Sequence, residues 1–207
     1  MNLGCAILAG GSGFRVGGVN KALIEVDGIP IISRILSVVS PLFSDIVIVS
    51  GDHQAFSSLT NVDFISDDIT GVGPLGGIYS ALKRTSCDAL LILACDMPYL
   101  SRSFLERQCD TFRQKPCDVL VPRYVSVDAS RKDRSHIQMI EPLHSIYHRR
   151  LSSKMKDYLT HADIYSVRDF LFSTDACFFE TPGDPDHLLM FTNLNTTEDI
   201  KRSSASL

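Results

Sequence analysis

An apolar strand that runs straight into glycine is the feature that most limits what this chain can fold into. From Leu8 to Lys21 the sequence reads LAGGSGFRVGGVNK, with five glycines among the nine residues 10–18. Glycine tolerates positive φ and lets a ligand approach the backbone, so successive bare N–H groups can converge on phosphate oxygens. Arg15 offers a bidentate fork and Lys21 a compact point charge, which suits a triphosphate. The bland alternative is a glycine-rich turn with two solvated cations. Walker A spacing requires Gly-Lys-Ser/Thr, whereas Lys21 follows Asn20 and precedes Ala22, and Val16 stands where a Rossmann fingerprint needs its third glycine.

Downstream, short apolar runs alternate with segments of helical period, the pattern of a mostly parallel sheet covered by helices. Strands are expected at Gly4–Leu8, Asp45–Val49, Val62–Ile65, Ala89–Ala94 and Asp118–Val121. Helices are expected at Pro30–Val39, His53–Leu59, Leu75–Lys83 and Ser101–Phe112, with Pro30 in a first helical turn and Ser101 as an N-cap. The charged stretch Tyr124–Gln138 reads as an exposed loop, and Arg123, Arg131 and Arg134 make it a candidate lid over an anion. A helical region at Leu143–Leu159, a short helix at Ser166–Phe172, an extended piece at Cys177–Phe179 and a closing strand and helix at Met190–Ile200 follow. The fold class implied is a single-domain, Rossmann-like α/β sandwich of three layers, spanning residues 1–207.

A chain of 207 residues, 44% apolar and 21% charged, is long enough to bury a sizeable core. Its net charge of −4 argues against a nucleic-acid surface, so an anionic ligand needs local cations. Six cysteines without a CxxC pair suit a reducing, cytoplasmic setting. The first apolar run is too short for a membrane span and has no basic flank of a signal peptide.

In an open α/β sheet, ligands bind beyond the carboxyl ends of the strands, and the remaining motifs fall at such ends. LLILACDMPYL (residues 90–100) delivers Asp96 there, where a carboxylate can share Mg²⁺ with phosphate oxygens or merely cap the turn. GVGPLG (71–76) matches G-x-G-x-x-G, but a polar stretch separates it from the preceding strand. Gly76 and Gly77 instead open a helix, whose N–H groups make a base or ribose wall, a packing turn being the alternative. In FTNLNTTEDI (191–200), Asn193 and Asn195 point the same way and serve either a ligand or the turn itself. His144 and His148 lie four apart without a third ligand and read as packing or surface residues, and Cys95 reads as core. A cationic cradle, an acidic strand end and no Ser/Cys/His nucleophile describe phosphoryl or nucleotidyl transfer.

Taken in order, LAGGSGFRVGGVNKAL, GVGPLGGIYSAL, LLILACDMPYL, EPLHSIYHRR and FTNLNTTEDI resemble the molybdenum cofactor guanylyltransferases, from the first strand to the last helix. The resemblance implies a fold of the nucleotide-diphospho-sugar transferase type, with residues 1–122 on the nucleotide and 123–207 on the acceptor. It implies that Leu8, Ala9 and Gly10 contact guanine nucleotide, with Gly11 and Gly13 in the same loop. Lys21 would meet the phosphates, Asp67 the nucleoside region, Ser50 or Val49 a position often held by asparagine, and Asp96 both GTP and Mg²⁺. Asn193 and Asn195 match the closing motif, on the pterin or the metal. Val16 and Asn20 replace the commoner Met and Asp. The partners implied are GTP and molybdenum-molybdopterin, with a molybdenum-insertion protein and apo-molybdoenzymes beyond them. LAGG, PLGG and CDMP together favour the guanylyl branch. A cytidylyl or sugar-phosphate transferase on the same scaffold is the alternative, with an NAD-binding oxidoreductase or a non-catalytic nucleotide-binding module further off.

Overall fold

A computed structural model describes residues 1–10, 15–16, 19–127 and 136–194. Gly11, Gly13 and Asn195 lie outside the described residues, as do Arg131 and Arg134. The strands are β1 (Leu3–Leu8), β2 (Arg15–Val16), β3 (Val19–Asn20), β4 (Glu25–Val26), β5 (Ile29–Pro30), β6 (Ile46–Val49), β7 (Asp63–Ile65), β8 (Ala89–Ala94), β9 (Val119–Val127), β10 (His136–Ile140), β11 (His144–His148) and β12 (Ala176–Glu180). The helices are α1 (Ile31–Val39), α2 (Pro74–Arg84), α3 (Arg102–Gln114), α4 (Leu151–His161), α5 (Val167–Phe172) and α6 (Pro185–Leu189).

The main sheet runs β10-β9-β11-β8-β1-β6-β7, with β12 added along the free edge of β9. β1 pairs in parallel with β6 on one side and β8 on the other, so the strand order reverses at β1. That reversal opens a crevice beyond the carboxyl ends of β1 and β8, which is where doubly wound sheets hold ligands. β1 and β8 are buried at every residue, as expected of strands covered on both faces.

Alternation along β1 splits the core in two. Cys5 and Ile7 join α1, α3, Phe56, Phe104 and Phe191 on one face, while Ala6 and Leu8 join α2, α4 and α5 on the other. Three layers result, as the sequence implies. Gly4 is held to glycine by space, since a Cβ there would lie 2.9 Å from Leu90 Cδ2 and 3.0 Å from the Asp45 carbonyl.

The parallel half follows the sequence reading within a residue or two, with three local departures. Pro30 closes β5 and caps α1 instead of sitting inside it. The expected helix at His53–Leu59 shrinks to a 3-10 turn at Gln54–Phe56. The β4–β5 hairpin, missed in the sequence, turns on Asp27 and Gly28, both at positive φ (52° and 73°), the geometry of an Asp-Gly type I′ turn.

The second half departs further. β9 does not stop at Val121 but continues through Pro122 to Val127, and the expected loop at Tyr124–Gln138 contracts as β10 begins at His136. Pro122 is tolerated because the opposite strand bulges there: β11 pairs with β9 at Val119 and Leu120, β10 pairs from Arg123 on, and Glu141-Pro142-Leu143 arch between them. The expected helix at Leu143–Leu159 is half strand. His144–His148 forms β11, antiparallel to β8, and the helix begins only at Leu151. Ile146 and Tyr147 explain this, for each is fully buried and they enter opposite core faces, which a strand allows and a one-faced helix does not. Arg123 lies on β9, ahead of the part of the expected lid that falls outside the described residues. It binds Glu180 and lies 4.2 Å over the Phe178 ring. Of the range 190–200 expected to hold a closing strand and helix, residues 190–194 contain neither and 195–200 lie outside the described residues, while α6 lies just before them.

Candidate active site

The chain leaves β1 at Leu8, passes through the glycine loop and returns by the β2–β3 pair to Lys21. Asn20 fixes that return: its Nδ2 donates to the Ala9 carbonyl at 3.0 Å and its Oδ1 accepts from Ala22 N at 3.0 Å, capping the 3-10 turn Lys21–Leu23. The Asn at position 20 therefore does structural work that a carboxylate could do only in part, because a carboxylate cannot donate. Lys21 is consequently pinned beside β8, with its Nζ 3.3 Å from Asp96 Oδ2 and both residues under 10% exposed. Burial raises the Asp96 carboxyl, and the Lys21 ammonium partly pulls it back.

Leu8 and Ala9 form the floor. Their side chains are buried, the Leu8 carbonyl accepts from Cys95 N, and the Ala9 N–H donates to Val49 O. Gly10 is the last described residue before the cradle. A Cβ there would lie 3.5 Å from Ser50 Cα and 3.8 Å from Asp67 Oδ2, while one on Gly77 would lie 3.3 Å from Asp67 Oδ1 and 3.0 Å from Leu8 Cδ2. Gly10, Ser50, Asp67 and Gly77 thus meet at one wall. Asp67 is half-buried, and burial, then the neighbouring Asp68 charge, raises its carboxyl. Ser50 is buried and its Oγ accepts from Asp52 N at 3.1 Å, while Asp68 is held by Lys83 and Arg84 on α2.

The Gly71–Gly76 motif is not a dinucleotide turn. Gly73, at φ 63° and ψ −152°, occupies a region open essentially to glycine alone, caps α2, and sets Pro74 as its first residue. Gly76 packs against the chain, since a Cβ on it would fall 2.3 Å from the Ile69 carbonyl. Gly76 therefore serves the wall by close packing, and Gly77 is the glycine beside Asp67.

Beyond Asp96 lies an open pocket of about 330 Å³, whose lining includes Asp96, Met97, Glu141, Pro142, Arg168 and Asn193. Asn193 is exposed, and the residue after it is tied down by Leu194 N donating to the Asp96 carbonyl at 3.0 Å. Phe191 anchors the same segment, stacked on Tyr124 (5.1 Å) and edge-on to Phe104 (5.8 Å) and His144 (5.2 Å). Sequence reading missed Glu141, Arg168, Tyr124 and Phe191. Only the Glu ahead of an apolar strand in EPLHSIY signalled any of them. Cys95 is fully buried, and burial pushes its thiol far up, as a core residue. Arg15 lies on β2 as the direct register partner of Asn20, the residue before Lys21.

For the metal, magnesium needs only one or two protein carboxylates when phosphates complete its shell. Asp96, a hard oxygen donor at the strand end and at the pocket rim, fits that requirement. No cluster of three or more His, Cys, Asp or Glu that could hold a metal by protein ligands alone occurs among the described residues.

A mostly parallel three-layer sheet with this switch-point site defines the class: the fold is that of the nucleotide-diphospho-sugar transferases, and the chain is a nucleotidyltransferase. Residues 5–177 match the MobA-like NTP transferase domain. Molybdenum cofactor guanylyltransferases of Vibrio atlanticus and Yersinia pestis are each 30% identical to it, over 94% and 96% of this chain and 91% and 93% of theirs. A solved structure from Archaeoglobus fulgidus, molybdopterin-guanine dinucleotide biosynthesis protein A, superposes with TM-score 0.75 at 26% identity, covering 99% of this chain and 97% of that one. The chain belongs to the MobA-like NTP transferase family.

Proposed function

We propose that the protein transfers GMP from GTP to the terminal phosphate of molybdenum-molybdopterin, giving the guanine dinucleotide cofactor and pyrophosphate. The observation that carries this reading is the buried Lys21–Asp96 pair at the β1/β8 switch point, flanked by a glycine-lined wall on one side and the Asn193 pocket on the other. Its relatives' names support guanine and molybdopterin as the two substrates. Residues up to about 122 hold the nucleotide and those from about 123 the acceptor.

The acceptor phosphate oxygen attacks the α-phosphorus of GTP in line. A new P–O bond forms, the bond from the α-phosphorus to the bridging oxygen breaks, and pyrophosphate leaves with that electron pair. The nucleophile is already anionic, so no general base is needed. Lys21, with Arg15, neutralises charge growing on the pyrophosphate, and the Gly10–Asp67–Gly77 wall orients the nucleoside. Asp96 would hold Mg²⁺, which supplies Lewis-acid neutralisation of phosphate charge when bound. Asn193, at the pocket, is assigned to the acceptor, and the sequence motif alone assigns Asn195 with it. We place the reaction in the cytoplasm, where the six cysteines, all free thiols, stay reduced. Among the described residues no helix is long and apolar enough to cross a membrane. A molybdenum-insertion protein and apo-molybdoenzymes are the partners this product requires.

The test is pyrophosphate release by purified protein given Mg²⁺, molybdenum-loaded molybdopterin and GTP or CTP. Release with GTP at least ten-fold above that with CTP is expected, and preference for CTP or release without acceptor overturns the reading. Melting shifts with GTP, CTP, UTP and ATP supply the matching binding order.

A further inference from the structure

Glu141 lines the pocket beyond Asp96 among mostly apolar neighbours, with Asp96, Arg168 and Asn193 the other polar residues, and its surroundings hold it rigidly there. It sits on the bulge between β10 and β11, where its N–H donates to the Pro122 carbonyl at 3.1 Å. Its own carbonyl accepts from His144 N at 3.1 Å and Ser145 Oγ at 2.6 Å. Tyr124 Oη donates to its Oε1 at 2.8 Å, and the Tyr124 ring is itself clamped by stacking on Phe191. Oε2 receives no hydrogen bond from the described residues. Around it, Ala94, Met97, Pro142, Leu143 and Val167 line the pocket with apolar surface, and Arg168, exposed on α5, supplies its one side-chain cation among the described residues. An ionisable group kept largely from water among apolar neighbours costs stability unless a partner offsets it. Burial raises the Glu141 carboxyl, with Tyr124 and Arg168 opposing that rise.

We propose that Glu141 and Arg168 are the recognition pair of the acceptor pocket: Arg168 takes the acceptor's phosphate end, and Glu141 Oε2 accepts from N–H donors on its heterocycle. This rests on the transfer reaction proposed above. A flat, phosphate-bearing ring with adjacent amino and ring N–H groups matches the pocket's apolar walls, its cation and its aimed acceptor at once. A sugar phosphate, whose hydroxyls can donate or accept, makes less use of a carboxylate held among apolar side chains.

Steady-state kinetics of the full chain with GTP, Mg²⁺ and molybdopterin separate the possibilities. Glu141→Gln keeps an oxygen for Tyr124 and replaces the free acceptor with a donor. Arg168→Ala removes an exposed cation and leaves the core intact. Each is expected to raise the KM for acceptor about ten-fold or more, the value of a charged hydrogen bond, while the KM for GTP stays within two-fold. Arg168→Lys restores part of the loss. Acceptor KM unchanged in both variants, with the parent active, overturns the pair and leaves the transfer reaction standing. Equal changes in both KM values, or a lost GTP-induced melting shift, show a merely structural role and also overturn it. A parent that transfers no guanylyl group to the acceptor overturns the reaction and the pair together.

Discussion

The two halves of the sheet handle buried polarity in opposite ways. In the parallel half, Asp96 just beyond β8 pairs with Lys21, which the chain brings back after β3, each under 10% exposed, and the structure around them is a regular parallel sheet. In the other half, β9, β10, β11 and β12 bend around a bulge beside His144, fully buried, with neither ring nitrogen partnered and the rings of Phe104 and Phe191 set T-shaped against it. A paired charge aimed at a cleft is available to a ligand. A neutral ring packed among aromatics holds a segment in place. The half with Lys21 and Asp96 is thus built for charge, and the half with His144 for docking the chain that carries Asn193.

Four measurements bear on that contrast. The largest effect is expected from Phe191→Ala, which removes a nearly buried ring from contact with three others. About 4 kcal/mol of stability should be lost in denaturant unfolding, with acceptor KM rising more than GTP KM in any folded fraction. Equal losses for both substrates would mean that the two halves are not separately built. Asp96→Asn should lower turnover on the order of 10²-fold or more with GTP still bound, and a change of only a few-fold would remove Asp96 from the centre.

Acid tests the half with His144 next. Burial lowers His144 from 6.5 to about 4. The unfolded chain therefore takes up a proton that the native state refuses, and the stability due to the neutral ring is complete above about pH 6.5. It falls as pH drops from there to about 4, by about 3 kcal/mol in all. His144→Phe should flatten that part of the stability profile, and an unchanged acid limb would contradict it. The smallest effect falls on the nucleotide wall. Gly76→Ala forces a Cβ against the Ile69 carbonyl and should cost about 2 kcal/mol, read as a lower melting temperature with the GTP-induced shift in melting retained.

The halves also differ in how far the sequence discloses them. Parallel strands buried on both faces are unbroken apolar runs, so Ala89–Ala94 needs no neighbour to be recognised, and its Asp96 follows from the turn at Pro98. Lys21 is readable as a cation after a glycine loop, but its partner is not. The half with His144 misleads for local reasons. Pro122 looks like a strand end because a proline cannot donate to a ladder, and only the bulge opposite makes room for it. His144 and His148 have the spacing of a helix face, and pairing with β8 overrides it. Tyr124 lies in a stretch whose charge reads as loop, yet its hydroxyl fixes Glu141.

The sequence by itself determined the parallel half: the first strand that runs into glycine, and the buried strand with its acidic end. These are local consequences of backbone freedom and apolar period. Folding in three dimensions decided the rest. It turned Lys21 onto Asp96, converted a dinucleotide-like glycine motif into a packing contact, and brought Glu141 and Arg168 to one pocket, with Tyr124 bonded to Glu141 and Phe191 stacked behind it. No spacing rule reaches across 67 residues, as between Tyr124 and Phe191; their contact exists because burying both rings in one core was the favourable way to close the chain.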